Sequence, residues 1–202
     1  MTAPSRARYT RGAQRRAELV KAAADVLLEG GLGAVTARAV ATRAGLPLAS
    51  TTYYFASVDD LRDEALRHVT DSWVAQAAAV VAALPERLDR SQVARAVIGI
   101  VGGDARREQV LLVYERYLEA GRHERLRPLV AESNKRLVEF VLEVLRRADL
   151  PADEADARVV LAVADGTTIM ALAEGQPTPA ATAAALEHVL SGGGPPTSRC
   201  GT

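Results

Sequence analysis

Apolar residues recur three and four positions apart along most of this chain, and no segment shows the sustained alternation of a half-buried strand. The first such run is Leu19, Ala23, Val26 and Leu27, which predicts a helix over about 13–29, stopped by Gly30 and Gly31. Thr36 stands as an N-cap before VTARAVA, a short second helix that the stretch Ala44-Gly45-Leu46-Pro47 interrupts. Pro47 suits the first turn of a third short helix over 48–54. Ser57 can cap a fourth, whose start carries Asp59, Asp60, Asp63 and Glu64, where carboxylates complement the helix dipole. Leu61, Ala65, Val69, Trp73, Ala77, Val80 and Leu84 form its apolar stripe, and Pro85 ends it. Further helices are expected near 90–101, 105–120, 125–148, 152–174 and 178–190, separated mostly by Gly and Pro. The fold class is therefore all-α, with about nine helices and no repeat.

The two short helices around Gly45 match a helix-turn-helix. Gly45 can take the positive φ of the turn, and Val35, Ala39, Val40, Leu46 and Phe55 are the natural inward positions. The outward face of the third helix then carries Leu48, Ala49, Ser50, Thr51, Thr52 and Tyr53. Hydroxyls can bond phosphate oxygens, and small or apolar side chains can lie close to base edges and thymine methyls in a major groove. Arg38 and Arg43 lie on the second helix, which would cross the backbone. Three of the eight aromatic residues stand together as Tyr53, Tyr54 and Phe55. Phe55 is expected in the core and Tyr53 on the DNA, with Tyr54 able to serve either; the alternative is an ordinary hydrophobic plug at a helix end. The candidate DNA contacts are thus Thr36, Arg38, Arg43, Leu48, Ala49, Ser50, Thr51, Thr52, Tyr53 and Tyr54.

Charge sharpens this picture. The chain is neutral overall, but residues 1–54 hold eight Lys+Arg against three Asp+Glu, and the remainder seventeen against twenty-two. A basic N-terminal quarter fits a polyanion partner, or else a solvated basic face. Residues 1–12 read as a disordered basic arm, and Arg6, Arg8, Arg11, Arg15 and Arg16 could run along or into a minor groove. The end, SGGGPPTSRCGT, reads as a flexible tail over 191–202. It holds the single Cys, Cys200, so no disulfide can form within the chain. No apolar run nears the ~20 residues that span a bilayer, and no signal peptide is read at the N-terminus, so a cytoplasmic setting is expected.

These residues carry a family resemblance. The first helix ending in EGGLGAVT, then ARAVATRAGL, then STTYYFAS followed by DDLRDEAL, resemble the N-terminal DNA-binding domain of the tetracycline-repressor (TetR) family of bacterial regulators over residues 13–66. Two positions depart from the usual pattern. Thr52 stands where many members have a phosphate-gripping Tyr, and Val58 where many have a Lys. The resemblance implies a DNA-binding domain over 13–57 and a helical ligand-binding and dimerisation domain over 58–190. It implies a homodimeric, ligand-responsive regulator, a repressor by expectation, that reads a near-palindromic operator and is released by a small, largely apolar effector.

The remainder of the chain is consistent with this. The 152–174 segment is apolar on nearly all sides, as a helix buried on more than one face would be. With 178–190 and its run of Ala it could form half of a four-helix dimer interface, or simply complete a monomer core. The candidate effector contacts are the aromatics Trp73, Tyr114, Tyr117 and Phe140, each of which could equally be core, and Asp165. Asp165 falls on an apolar stripe, so it needs a partner, either a ligand or an Arg of the chain.

Enzyme chemistry finds little support. The three His residues lie far apart, and Glu64 with His68 and Glu119 with His123 read as solvated pairs four residues apart. No metal site, cofactor or catalytic residue is expected, and no phosphate loop or nucleophile motif is present. The alternative function is a helical small-molecule carrier or enzyme that keeps a vestigial helix-turn-helix; a regulator acting mainly through a protein partner is the third.

Overall fold

Gly and Pro punctuate the observed helices much as the sequence predicts. The computed structural model describes residues 6–102 and 105–192, with side chains from Gly12 onward. Among the described residues there are nine α-helices, one short 3-10 turn at Glu124–Leu126, and no strand. The helices are α1 (Arg6–Ala34), α2 (Ala37–Ala44), α3 (Leu48–Tyr54), α4 (Val58–Ala83), α5 (Arg90–Ile100), α6 (Arg107–Arg122), α7 (Arg127–Arg147), α8 (Glu154–Glu174) and α9 (Thr178–Leu190).

One expectation at the chain's start is corrected and another holds. Helix α1 begins at Arg6, inside the segment expected to be disordered, while residues 1–5 lie outside the described residues. The expected stop at the Gly pair holds: Gly31 leaves helical geometry at φ 71° and ψ −178°, and a separate short helical stretch follows it to Ala34. A Cβ at Gly31 would adopt a strained backbone and sit 3.3 Å from the Glu115 carboxylate of α6. Gly31 therefore separates the first helix from the short stretch that follows it. The expected tail beyond Gly192, with Cys200, lies outside the described residues.

The chain divides into two compact units. The first comprises residues to Ser72 together with Leu111–Leu129. Its buried side chains include Leu19, Ala23 and Leu27 of α1, Val35, Val40 of α2, Phe55, Leu61, Ala65 and Leu66 of α4, and Leu112 of α6. Arg16 ties this unit at its exposed rim: its guanidinium lies 5.2 Å from the Phe55 ring centre and 3.1 Å from Glu64. Arg16 is thereby engaged on α1. Arg15 is exposed on α1, and the side chains of Arg6, Arg8 and Arg11 lie outside the described residues.

The second unit comprises Trp73–Val110 and the chain from Val130 onward. One core holds it together, built from Ala77 and Val81 of α4, Val93, Val97 and Ile100 of α5, Val138, Val141 and Val144 of α7, Val160, Leu161 and Ala164 of α8, and Leu186 of α9. Arg147 closes the end of α4. Its NH1 donates to the carbonyls of Val81 at 3.1 Å and Leu84 at 2.9 Å, and its Nε donates to Glu143 at 2.7 Å. The carbonyls at a helix C-terminus lack intrahelical donors, and a guanidinium supplies them. Helices α8 and α9 meet at a buried hydroxyl pair, Thr168 and Thr182, 3.0 Å apart. No helix among the described residues is long and apolar enough to cross a membrane.

Candidate nucleic-acid interface

The turn between α2 and α3 sets the direction of every candidate DNA contact. Thr36 Oγ1 accepts from the Ala39 amide at 3.1 Å and starts α2. Gly45 ends it at φ 64°, ψ 29°, with its own amide bonded to Ala41 and Thr42 carbonyls. The Leu46 amide reaches back to the Ala41 carbonyl at 3.0 Å, completing a Schellman motif. Pro47 then opens α3, and the Phe55 amide closes it on the Thr51 carbonyl at 2.9 Å. Ser57 Oγ accepts from the Asp60 amide at 3.0 Å, so it caps α4 as predicted.

On α3, Leu48 is 48 % and Tyr53 80 % exposed, with Ala49 and Thr52 also open to solvent. Ser50 and Tyr54 are half-buried. The Tyr53 and Tyr54 rings meet edge to face, 4.9 Å apart at 87°. Thr51 is a correction: it is 2 % exposed, and its hydroxyl donates to the Leu48 carbonyl at 2.7 Å. It lies four residues before Phe55, on the face that Phe55 holds in the core, and cannot reach a groove. Thr52 is exposed, but its hydroxyl also donates within the helix, to the Ala49 carbonyl at 3.1 Å. The hydroxyls of α3 without a partner among the described residues are therefore those of Ser50, Tyr53 and Tyr54.

The two arginines of α2 differ. Arg38 is exposed and has no side-chain partner among the described residues. Arg43 is exposed but is held by Glu29 of α1, with NH1 donating to Oε1 at 3.0 Å and NH2 donating to Oε2. That carboxylate raises the Arg43 pKa further, chiefly through the hydrogen bond. An open groove of about 630 Å³ lies beside this pair, lined by Val26, Gly30, Ala34, Ala39 and Thr42. The sequence reading missed this ion pair.

The five candidate effector contacts do not gather in one unit. Tyr114 and Tyr117 are half-buried on α6 in the first unit; Trp73, Phe140 and Asp165 are half-buried in the second. Phe140 packs against the core of the second unit, which accounts for it. Sequence reasoning passed over Arg116, which is only 2 % exposed, its guanidinium 4.8 Å from the Tyr117 ring centre. Its signal was the spacing: Leu112, Arg116 and Ala120 repeat every four residues and are all buried. Glu119 pairs with Arg122 at 2.8 Å and with His123 at 3.4 Å. Among the described residues no group of His, Cys, Asp and Glu is arranged to hold a metal ion.

Two family models match the chain. Residues 19–65 match the bacterial regulatory proteins of the tetR family, and residues 88–192 match the tetracyclin repressor-like C-terminal domain. The chain belongs to the TetR family. It is a ligand-responsive, DNA-binding regulator of transcription of the repressor type, in a family of transcription regulators that are generally not enzymes. Among solved structures, the TetR chain is similar to the multidrug binding protein EbrR complexed with proflavin, at 32 % identity and a TM-score of 0.67, over 88 % of this chain and 98 % of that one. It is also similar to EbrR complexed with ethidium, at 32 % identity and a TM-score of 0.67, over 90 % and 99 % of the two chains. A TetR-family member from Streptomyces coelicolor A3, SCO1917, is 33 % identical with a TM-score of 0.65, over 90 % of this chain and 98 % of that one. No curated protein matches the chain by sequence.

Proposed function

We propose that this TetR regulator binds a near-palindromic operator as a homodimer and is released from it by a small, largely apolar effector. Each subunit lays α3 in a major groove, with Tyr53, Ser50 and Tyr54 donating to phosphates, Leu48 and Ala49 against base edges, and Thr36 and Arg38 on the flanking backbone. The observation that carries this is the 80 % exposure of Tyr53 on a helix fixed by the Gly45 turn. A large aromatic ring left in water at a helix-turn-helix suits contact with a partner better than it suits folding.

Dimerisation is supported by α8. Val159 is 54 % and Met170 63 % exposed, and Ala162 and Ala173 on the same helix face are exposed as well. Spacings of three, four, four and three residues through Val159, Ala162, Gly166, Met170 and Ala173 make one apolar stripe. A second copy covering it would form an isologous interface. Val159→Glu with Met170→Glu should shift the chain to monomer in analytical ultracentrifugation; an unchanged mass would exclude this face.

Similarity to EbrR, whose structures hold proflavin and ethidium, supports an effector with a sizeable apolar surface. Trp73, the single Trp, is half-buried on α4 and is the candidate effector contact most easily observed. Asp165, in the same unit as Trp73, is the other proposed contact there. The effector can release DNA only through a different affinity for the DNA-bound and free states. Selection of the purified chain against randomised duplexes tests the whole reading. It should recover a palindrome with defined half-site spacing, in the cytoplasmic compartment's range of salt, and dyes of the EbrR kind should then reduce operator affinity and change Trp73 fluorescence. Absence of any enriched sequence from ligand-stripped protein would overturn it.

A further inference from the structure

The N-terminal 54 residues hold only three carboxylates, Glu18, Asp25 and Glu29. One of the three, Glu29 near the end of α1, is joined to Arg43 by two hydrogen bonds. In a segment whose excess of positive charge suits DNA, a carboxylate clamped on one arginine of the DNA-facing helix pair needs a reason.

Stability is a poor one. The Arg43 side chain is 37 % and the Glu29 side chain 64 % exposed, and an ion pair so open to water adds little to folding. Helix α2 is already fixed by its N-cap, its Schellman turn, and buried Val40 and Ala41. The geometry instead resembles ligand capture. The carboxylate meets two nitrogens of the guanidinium at once, the same fork-on-fork approach that a phosphate makes. Arg38, five residues earlier on the same helix, points elsewhere around it and has no side-chain partner among the described residues.

We propose that Glu29 is a specificity residue: by holding Arg43 in a carboxylate fork it withdraws one phosphate contact from the DNA-binding face and so restrains sequence-independent association. The inference rests on the reading of α2 and α3 as the DNA-facing pair. Phosphate contacts attract every duplex alike. A non-specific complex, free to shift along the backbone, can use any uncommitted cation, whereas a complex held in register by base contacts uses only those that its register reaches. Neutralising Arg43 therefore costs the loose complex more than the specific one, and the ratio between them rises.

The test uses the full chain, a duplex lacking the selected operator, and binding titrations across a range of salt. Glu29→Gln should raise affinity for that duplex several-fold at low salt and steepen the log–log salt slope by about 0.9 for each subunit bound. Glu29→Gln with Arg43→Gln should return the slope to that of the parent. Arg38→Gln should flatten the slope by about 0.9 and serves as the control for the DNA-facing reading itself. If Arg38→Gln flattens the slope while Glu29→Gln leaves slope and affinity unchanged, α2 faces DNA and Glu29 is not a specificity residue. If neither substitution moves the slope, α2 is not on the DNA and both ideas fall. All three positions are exposed, and a thermal melt of each variant establishes that it is folded.

Discussion

Tyr53→Ala separates folding from DNA contact more cleanly than any other substitution in α3. The ring is 80 % exposed. Taking about 200 Å² for a Tyr side chain, roughly 40 Å² is covered, about 1 kcal/mol of burial at about 25 cal/mol/Å². The better helix propensity of Ala returns roughly half of that. The net loss of about 0.5 kcal/mol should lower Tm by only ~1–2 °C for a chain of this size. Operator binding should respond very differently. A hydroxyl donating to a charged phosphate contributes about 1.5–3 kcal/mol, and a dimer makes the contact twice, about 3–6 kcal/mol in all. That is on the order of 10²–10⁴ in Kd. Fluorescence anisotropy with the selected operator at fixed ionic strength measures it, beside a thermal scan and a sedimentation run to show an intact dimer. Tyr53→Phe, which keeps the ring, apportions the loss between hydroxyl and aromatic surface. Unchanged operator affinity would refute the reasoning, as would a Tm drop of ~5 °C or more, which would mean that the ring belongs to the fold.

Other substitutions test other parts of the argument. Gly45→Ala meets open space but must hold φ 64°, so it should cost about 1 kcal/mol in urea unfolding, with Gly45→Asn costing less. Equal effects would mean that the turn is not held in the left-handed region. Arg147→Met strips donors from the Val81 and Leu84 carbonyls and from Glu143, and should destabilise by about 3 kcal/mol in the same assay; a loss under ~1 kcal/mol would show that water replaces it. Arg146, and then Arg147, hold the Glu143 carboxyl down at about 2 from the usual 4.5. Because the folded pKa is the lower one, this contribution is complete above about pH 4.5 and is lost as pH falls toward 2. Urea midpoints of parent and Glu143→Gln should therefore converge over that interval; a constant gap would remove the ion pair as its cause.

Helix boundaries were legible where punctuation is local. Helix α9 spans Thr178–Leu190, as expected from the Gly175–Pro179 break, and α2 ends at Gly45 because only a left-handed residue completes the turn. Gly31 was informative for the same reason. A Gly pair reads as a stop, and the helix does break at Gly31, at φ 71°; the short helical stretch to Ala34 and the Glu115 carboxylate beside the break, eighty-four positions away in the chain, were not readable. Of the inward positions expected of the helix-turn-helix, Val35, Val40 and Phe55 are buried, while Ala39 and Leu46 are half-buried. The burial of Thr51 was not readable from spacing, because seven residues make fewer than two turns and leave the buried edge undefined until Phe55 is placed. The Glu29–Arg43 pair crosses from α1 to α2, and no periodic pattern announces a contact fourteen residues apart.

The effector side shows why aromatic residues were weak guides. The candidate DNA contacts come from one continuous stretch, Thr36 to Tyr54, where spacing and turn chemistry decide geometry locally. The effector candidates come from α4, α6, α7 and α8, and tertiary packing decides what each one touches. An aromatic ring suits any core, so its half-burial carries little information, as Phe140 demonstrates by packing into the second unit. A charged side chain does not suit a core, and its burial has to be matched by groups around it. Arg116, in register with Leu112 and Ala120 and just 2 % exposed, is such a residue. In this chain the informative departure from pattern was a charge at a buried helical position, and the spacing that reveals it was present in the sequence from the start.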